Sequence, residues 1–439
     1  MAPIDVGYFL SESSGTWKPA AIRGLFPLEL RPGMISLLAG KPNPDTFPFE
    51  QIDIKLKPQP GQKESQVLTL SGKDLDEGLQ YGPTKGLTRL VKWFEGFLAH
   101  VHDVPLPQEG DWAFSMGSGS QDVLIKAMGA VINPGDTVLV EAPTYPGGLN
   151  YLWHERCNLV ECVVDGHGLV PDNLESVLDS FARDQPNAPK PKVLYTIPTG
   201  SNPAGSTLSE DRKVAILKIA KKHDLLILED DPYYFLYFGP KPQPRSFFSL
   251  EQSVNGETGR VLRFDSVSKI LSSGIRLGSV CGHKSIIERI ELQTANTNLQ
   301  VPSLTQAIAL QLVERWQHQG FIEHCTRVAE FYKQKRDVFD KLARKHLEGV
   351  AQWDTPEAGL FLWIKLLLNR DGSDGDSESL IREKAVEKGV LCVPGVGFMG
   401  LSGKTAYVRV SFSLSTEAEA DEAFRRLRSV IDEARSEQG

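Results

Sequence analysis

The sequence predicts an α/β fold in which a large domain holds a mainly parallel sheet flanked by helices and a smaller α+β domain follows. Between about residues 115 and 285, short runs rich in β-branched residues alternate with helix-like segments. Several of these runs are largely apolar, which is typical of strands buried on both faces of a sheet. Beyond residue 285, long amphipathic helices dominate the pattern, and this indicates a change of architecture.

The composition narrows the class of protein. The chain has 439 residues, of which 41% are hydrophobic and 24% charged, and its formal net charge is −8. This is ordinary globular composition, and the length favours more than one domain. Because the chain has no dense block of Lys and Arg, we expect no nucleic-acid partner and no binding to anionic membranes. A small soluble ligand is expected instead.

The N-terminus and the cysteines bear on the location of the protein. The chain does not begin with a basic segment followed by an apolar core, so we expect no signal peptide. No apolar run is long enough to predict a membrane span. The five cysteines have no C-x-x-C spacing, which favours reduced thiols over a disulfide framework or a zinc site. We therefore expect a cytoplasmic protein that binds no metal.

The predicted large domain covers residues 46–315. It follows an N-terminal arm and substrate-side segment, residues 1–45, that is rich in Pro and Gly. Helix-like segments separate most of the strand candidates, so we expect parallel pairing through helical crossovers. The strand candidates are TVLVEAP (137–143), LVECVVD (159–165), KVLYTIP (192–198), LLILED (225–230), VLRFDS (261–266) and RLGSVCG (276–282).

Residues 316–439 form the predicted small domain. It opens with an amphipathic helix around 320–346, whose apolar residues recur at intervals of three and four. The strand-like runs GLFLWIKLLL, GVLCVPG and AYVRVSFS follow, and a last amphipathic helix begins near residue 416. The run PGVGFMG has the G-x-G-x-x-G spacing of a dinucleotide-binding turn, but no helix follows it. We therefore interpret it as a turn-rich loop.

Polar residues cluster at four turns of the large domain, three of which follow predicted strands. Ligands of open α/β sheets collect at the carboxyl ends of the strands. The turn SMGSGSQD places small residues just before a helix, where free backbone N–H groups and the helix dipole favour a phosphate. The other turns are YTIPTGSNPAG with Asn202, LLILEDDPYYF with Asp230 and Tyr233, and FDSVSKILSSGIRLG with Ser266, Ser268, Lys269 and Arg276.

Each turn is a weak signal alone, because most lysines are solvated and most Asp residues after strands cap a turn or a helix. Together the four turns match the needs of pyridoxal 5′-phosphate. A lysine forms a Schiff base with its aldehyde, a carboxylate keeps its pyridine nitrogen protonated, and N–H groups, hydroxyls and a guanidinium hold its phosphate. The set therefore predicts a pyridoxal phosphate enzyme with Lys269 as the reactive amine.

The motifs of the chain also run in the order of a known family. They are ISLLAGKPNPDTFPFE, LQYGPTKGL, SGSQD, EAPTYPG, NPAG, EDDPYYF, DSVSKILSSGIRLG, AGLFLWIK and YVRVSFS. Over roughly residues 20 to 436 the chain resembles the fold-type I, class I/II pyridoxal phosphate aminotransferases, in the branch of kynurenine/2-aminoadipate and fungal aromatic aminotransferases. The resemblance implies the PLP-transferase fold type I, with a mainly parallel sheet of the seven-stranded type in the large domain.

This resemblance implies cofactor roles for individual residues. Lys269 resembles the Schiff-base lysine that carries the proton between the substrate Cα and the cofactor C4′, and Asp230 resembles the partner of the pyridine nitrogen. Tyr233 and Asn202 resemble the partners of the ring hydroxyl, and Tyr145 resembles the aromatic residue that stacks on the ring. The residues that resemble phosphate ligands are Ser120, Gln121, Ser266, Ser268 and Arg276.

The resemblance also implies substrate and subunit roles. Arg409 resembles the clamp for the substrate α-carboxylate, for which a planar guanidinium has the right shape. Asn202, Gly40 and Arg23 resemble other residues on the substrate side. Tyr81 resembles a residue that reaches the phosphate bound by the neighbouring subunit, which implies a homodimer with shared active sites.

The activity implied by the resemblance is a ping-pong transamination. The amino group of Trp, Phe, Tyr, kynurenine or 2-aminoadipate would pass to 2-oxoglutarate or to an aromatic 2-oxo acid such as phenylpyruvate. An alternative is another pyridoxal phosphate chemistry on the same scaffold, a β-lyase or a decarboxylase, because the protein decides which bond is cleaved. A pyridoxal phosphate-sensing regulator with a DNA-binding domain is a remote alternative, because few residues precede the match and the chain is acidic.

Overall fold

The computed structural model describes residues 4–19, 25–29, 31–38, 40–58, 64–369, 373–401 and 403–437. The strands, in chain order, are β1 (Gln51–Lys55), β2 (Val67–Ser71), β3 (Trp112–Gly117), β4 (Thr137–Ala142), β5 (Asn158–Asp165), β6 (Gly168–Leu169), β7 (Val193–Thr196), β8 (Leu226–Asp230), β9 (Val261–Ser266), β10 (Gly278–His283), β11 (Ala351–Gln352), β12 (Phe361–Leu366), β13 (Val393–Pro394) and β14 (Tyr407–Ser411).

The α-helices, in chain order, are α1 (Val6–Phe9), α2 (Glu12–Thr16), α3 (Phe26–Glu29), α4 (Gly72–Leu79), α5 (Thr88–His102), α6 (Ser120–Val131), α7 (Pro146–His154), α8 (Pro171–Asp184), α9 (Glu210–His223), α10 (Phe247–Asn255), α11 (Lys284–Thr297), α12 (Ser303–Leu347), α13 (Ser377–Ser379) and α14 (Glu417–Ser436). Short 3₁₀ turns and one π-helical segment lie between them, at Pro44–Thr46, Tyr234–Leu236, Val267–Lys269, Ser273–Ile275, Leu380–Ala385 and Gly395–Phe398.

The chain packs into two compact units. The first unit comprises Met1–Asn133 and Phe264–Glu323, and the second comprises Pro134–Arg263 and His324–Gly439. The domain boundaries predicted from the sequence, at residues 45 and 315, stay a prediction.

In the first unit, strand pairing brings the start of one strand, at Gly278, beside the glycine-rich turn that follows another. Strand β10 pairs antiparallel with β3, so that Gly278 lies opposite Gly117. In the strand order, β9 follows β10, and its last three residues belong to this unit. A separate pair is formed by β1 and β2, which are antiparallel. Helix α6 starts only three residues after β3 ends, so the position of β3 in this pair also determines where α6 begins.

The second unit contains the parallel strands that the sequence predicts. They lie in the order β8-β7-β4-β5-β6, and the β8–β7, β7–β4 and β4–β5 pairs are parallel. Every residue of β7 and β8 is buried, as expected for strands covered on both faces. The predicted strand candidates all overlap observed strands, and the predicted fold class is confirmed.

A four-stranded antiparallel sheet in the second unit carries the C-terminal part of the chain. Its order is β11-β12-β14-β13, and Arg409 on β14 lies opposite Trp363 on one side and Val393 on the other. Helix α14 begins with a capping box between Thr416 and Glu419, which satisfies backbone N–H groups of its first turn. Its buried residues are spaced along one face and belong to the core that covers this sheet.

The PGVGFMG run and the predicted helix at 320–346 both have counterparts in the fold. The PGVGFMG run forms a 3₁₀ turn, Gly395–Phe398, between β13 and β14, so its interpretation as a turn-rich loop is confirmed. The predicted helix at 320–346 lies inside α12. Within the described part of the chain, none of the helices has both the length and the apolar composition that crossing a bilayer requires.

Helix α12 is interrupted at Gln317. The residue has φ 54° and ψ −179°, a region of backbone space that is favourable only for glycine. Its side-chain amide donates to the carbonyl of Glu314, so the break also uses a local hydrogen bond. Gln317 is exposed, and no core packing is lost when its side chain is shortened.

We expect Gln317→Gly to raise the free energy of unfolding by about 1 kcal/mol, because glycine removes the steric cost of this conformation. Urea denaturation with an unchanged m-value checks this expectation. The matched control is Gln319→Gly, which changes an exposed residue of the same helix. There glycine should lower stability by nearly 1 kcal/mol, since it has a poor helix propensity. Equal losses in both variants would contradict the prediction.

Candidate active site

The first unit builds an anion site at the start of α6. The helix has Gly119 as its N-cap residue, with φ 93° and ψ 163°, and the first-turn N–H groups lack partners within the helix. The Arg276 guanidinium lies beside this turn. Its Nη2 donates to the carbonyl of Ser118 at 3.1 Å and its Nη1 lies 3.4 Å from the Ser268 hydroxyl. A cation and a helix N-terminus together favour a phosphate.

Two glycines make this arrangement possible. A Cβ atom on Gly119 would lie 2.1 Å from Nη2 of Arg276, and a Cβ atom on Gly278 would lie 2.3 Å from the backbone nitrogen of Ser120. Any side chain at either position would therefore displace the guanidinium or the start of the helix. Arg276 itself adopts the left-handed conformation, with φ 50°, and this turn directs its side chain back over Ser273 and Ser268.

Lys269 closes a 3₁₀ turn, Val267–Lys269, that follows β9 directly. The turn is capped by Ser266, whose hydroxyl accepts from the N–H of Ser268 at 3.2 Å. Lys269 is half-buried, as are Ser120 and Gln121 in the first turn of α6. The structure thus assembles the predicted phosphate ligands Ser266, Ser268 and Arg276 around the turn that ends in the predicted reactive lysine.

In the second unit, Asp230 ends the buried strand β8 and is 4% exposed. The phenol of Tyr195, on the adjacent strand β7, donates to Oδ2 of Asp230 at 2.8 Å. Burial, and then the charge of Asp230, raise the pKa values of Tyr145 and Tyr233. The two phenols therefore stay protonated at neutral pH and can act as hydrogen-bond donors.

Arg409 lies in a buried aromatic setting. Its Nη1 donates to Oδ1 of Asn202 at 2.8 Å, and its guanidinium carbon lies 4.3 Å from the ring centroid of Phe361 and 5.0 Å from that of Phe398. Burial lowers the pKa of Arg409, but a guanidinium remains charged at neutral pH. Among the described residues its buried Nε has no hydrogen-bond partner. A bound carboxylate would supply one.

The residues present fit pyridoxal phosphate. Its phosphate group would fit the space beside Gly119, which a Cβ atom at that position would fill. Arg276 and the serine hydroxyls next to this space would bind the phosphate oxygens. The buried carboxylate of Asp230 suits a protonated pyridine nitrogen. These two parts belong to the first and the second unit respectively, and each is formed within its own unit.

Comparison with known proteins decides the family. Residues 63–427 match the family described as aminotransferase class I and II. The chain belongs to this family. It is 44% identical over 417 residues to the aminotransferase tdiD of Emericella nidulans, which covers 95% of this chain and 93% of the relative. It is 38% identical to the mitochondrial kynurenine/alpha-aminoadipate aminotransferase of Mus musculus, with coverage of 97% and 99%.

The fold also matches that of a solved aminotransferase structure. The crystal structure of the aminotransferase Aro8 from Candida albicans matches with a TM-score of 0.88 and 26% sequence identity, and the match covers 99% of both chains. The predicted family, the transaminase activity and the pyridoxal phosphate cofactor are confirmed by these matches.

Two predicted site residues, Tyr81 and Gly40, lie outside the two groups of residues described above. Tyr81 follows α4, and its side chain is 55% exposed. Its backbone N–H donates to Oε1 of Gln80. Gly40 is exposed, with open space where a Cβ atom would be. Arg23 lies outside the described residues.

The structure also reveals polar residues of the site that sequence reasoning missed. Glu141, in β4, accepts from the hydroxyl of Thr196 and the N–H of Ile197, and burial raises its pKa to about 7. Tyr195 holds Asp230. Both lie in otherwise apolar strands, and a polar side chain in such a strand needs an internal partner. That signal was present in TVLVEAP and KVLYTIP. For Phe398, in a glycine-rich turn, the sequence offered none.

Proposed function

We propose that this aminotransferase transfers the amino group of an aromatic amino acid, kynurenine or 2-aminoadipate to 2-oxoglutarate or an aromatic 2-oxo acid. The observation that carries the proposal is the Arg409 site, where a half-buried guanidinium is held by Asn202 and lies against Phe361 and Phe398. A guanidinium binds the α-carboxylate that amino acids and 2-oxo acids share. The neighbouring rings provide an apolar surface for a flat side chain.

The names of the relatives support the same substrate class. The mouse relative is named for kynurenine and alpha-aminoadipate. Arg409 would orient either substrate by its carboxylate, and Asn202, which accepts from its Nη1, would hold the clamp in place. The ring of Phe361 also packs edge-on against Tyr233, with 6.1 Å between the ring centroids. This packing would hold the Phe361 ring in place beside a bound substrate.

The predicted residues would hold the cofactor as follows. Ser120, Gln121, Ser266, Ser268 and Arg276 would bind the phosphate, Asp230 the pyridine nitrogen, Tyr233 and Asn202 the ring hydroxyl, and Tyr145 the ring face. When bound, the cofactor supplies an electron sink for the negative charge that develops at the substrate Cα. Lys269 would provide the amine that takes the proton from Cα and returns it. The negative charge of Asp230 would keep the pyridine nitrogen protonated.

An initial-rate screen of amino acids against several 2-oxo acids tests this function. We expect the highest kcat/KM values with aromatic donors, kynurenine or 2-aminoadipate. Without an acceptor, a ping-pong enzyme should form at most one equivalent of 2-oxo acid per bound cofactor. Borohydride reduction and peptide mapping should place the pyridoxyl group on Lys269. Lys269→Ala should lower turnover by at least about a thousandfold, since a general base and a covalent partner are lost together.

The control for this variant is Lys284→Ala, which removes a lysine that is 46% exposed and pairs with Asp111 on the surface. It should retain wild-type turnover. Continued turnover, beyond one equivalent of product per cofactor, without a 2-oxo acid acceptor would indicate a lyase or decarboxylase instead. A pyridoxyl group on another lysine would contradict the assignment of Lys269.

Arg409→Lys should separate substrate binding from cofactor binding. We expect KM to rise roughly tenfold to a hundredfold for the amino acid and for the 2-oxo acid, because an ammonium cannot form the bidentate pair with a carboxylate. Cofactor affinity should not change. Arg428→Lys, which alters an arginine paired with Asp432 on α14, is the control and should leave both KM values as they are. A change in KM for only one substrate would argue against a shared clamp.

We also propose a homodimer in which Tyr81 contacts the cofactor phosphate of the neighbouring subunit. The exposure of its side chain, 55% in a single chain, supports this role, because an exposed phenol is available to a second copy.

Mixing two defective variants tests the shared site. Chains with Lys269→Ala and chains with Tyr81→Ala should regain about a quarter of wild-type activity after subunit exchange at a low cofactor concentration. Half of the dimers are then mixed, and one site in each receives both wild-type residues. The control is Lys269→Ala mixed with Lys269→Ala,Tyr81→Ala, in which no site is restored. Confirmed exchange without recovered activity would place Tyr81 within its own subunit.

A cytoplasmic location is a further proposal, supported by five cysteines that are all free thiols, as reducing compartments favour. Cell fractionation with antibodies against the chain tests it. Recovery in mitochondria, the location in the name of the mouse relative, would overturn it.

A further inference from the structure

The phenol of Tyr195 forms a hydrogen bond with the Asp230 carboxylate. The ring is fully buried, and its hydroxyl donates to Oδ2 of Asp230 at 2.8 Å. Tyr195 lies on β7 and pairs in parallel register with Leu228 on β8. Asp230 is two residues further along β8, so its side chain points to the same face of the sheet. The contact is therefore fixed by strand register.

The position of the Tyr195 ring is fixed from the other side by α7. A Cβ atom at Gly148, in that helix, would lie 2.8 Å from Cε1 of the ring and 3.1 Å from Cζ. The ring therefore occupies the space that any larger residue at this position would take. It cannot turn away from Asp230 towards the helix, so packing and hydrogen bonding hold the phenol in one place.

The phenol is a donor at every working pH. Burial, followed by the charge of Asp230 and the hydrogen bond to it, raises the pKa of Tyr195 well above its usual value. The negative charge of Asp230 also contributes to raising the pKa values of Glu141, Tyr145 and Tyr233, after the larger effect of burial. A neutral donor can orient the carboxylate without cancelling its charge, whereas a lysine or an arginine in its place would neutralise it.

We propose that Tyr195 is a positioning residue that holds the Asp230 carboxylate in the orientation required to receive the pyridine N–H of the cofactor. The inference rests on the proposed function, because it takes Asp230 as the partner of the pyridine nitrogen. Tyr195 acts through Asp230 and does not itself touch substrate or cofactor. Removing only its hydroxyl should therefore weaken the interaction of Asp230 with the ring while leaving the fold intact.

The test is a double-mutant cycle on cofactor affinity. Pyridoxal phosphate is titrated into apoenzyme of the wild type, Tyr195→Phe, Asp230→Asn and the double variant, and the Kd is measured at equilibrium by tryptophan fluorescence. We expect Tyr195→Phe to raise Kd about fivefold to tenfold and to lower kcat about tenfold, with little change in KM for the amino acid. In the Asp230→Asn background the same change should raise Kd less than about twofold.

Tyr237→Phe is the matched control. That tyrosine is also buried, and its hydroxyl donates at 2.8 Å to the carbonyl of Pro240, so it loses an equivalent hydrogen bond away from Asp230. It should leave Kd and kcat unchanged. If Tyr195→Phe fails to fold, Gly148→Ala provides the same test, because it displaces the ring without removing a polar group. It should raise Kd in the wild type and have a smaller effect in the Asp230→Asn background.

The outcomes separate the inference from the proposed function. A large effect of Asp230→Asn together with an equal effect of Tyr195→Phe in both backgrounds overturns the inference alone, since the phenol would then act independently of Asp230. Wild-type Kd and kcat in Asp230→Asn overturn the role of Asp230 and the inference with it. Loss of affinity by Tyr195→Phe only where Asp230 is present supports both.

Discussion

The burial of β7 and β8 on both faces is the constraint on which the rest of the second unit depends. A polar group in these strands cannot reach water and must bond within the protein. Tyr195 therefore donates to Asp230, and Thr196 donates to Glu141. Glu229 accepts from the backbone N–H groups that open α10. Two of these polar positions thus tie neighbouring strands together, and the third fixes the start of a helix.

Charges buried behind the Asp230 loop extend this principle. The side chain of Arg263 is wholly buried and lies 2.9 Å from Oδ2 of Asp231 and 3.3 Å from Oε1 of Glu229. Lys213, also wholly buried, donates to the carbonyl of Arg245. Buried ion pairs add little net stability, but removing one partner leaves an uncompensated charge. The network therefore restricts the residues next to Asp230 to one geometry.

The first unit uses backbone conformation for the same purpose. Its anion site depends on positive φ angles at Gly119 and Arg276 and on the close approach of Gly278 to the start of α6. These features place a guanidinium and a helix N-terminus side by side. Because both are positive, they would repel each other weakly without an anion between them. The arrangement is thus complementary to a phosphate before any ligand binds, so that little is left to reorganise on binding.

Sequence alone predicted nine of the fourteen described strands, the order of the motifs and the chemistry of the residues at strand ends. Apolar runs mark buried strands because burial on both faces excludes polar residues along their length, and this pattern is local. It located Asp230 at the end of a strand, Lys269 three residues after the end of another, and Arg276 just before the strand that follows. The small residues of SMGSGSQD also marked the phosphate turn, whereas the need for glycine at position 278 appeared only in the structure, where a Cβ atom would meet the backbone of Ser120.

Only the tertiary structure decided which of these residues bond to each other. Asn202 and Arg409 are far apart in the chain, and the pairing of Tyr195 with Asp230 depends on the register between two strands. Hydrophobic periodicity specifies which face of a strand is buried but not which side chain lies across from it. The partners of Glu141 and the aromatic contacts of Arg409 were hidden for this reason, because they arise from packing between segments that local sequence does not relate.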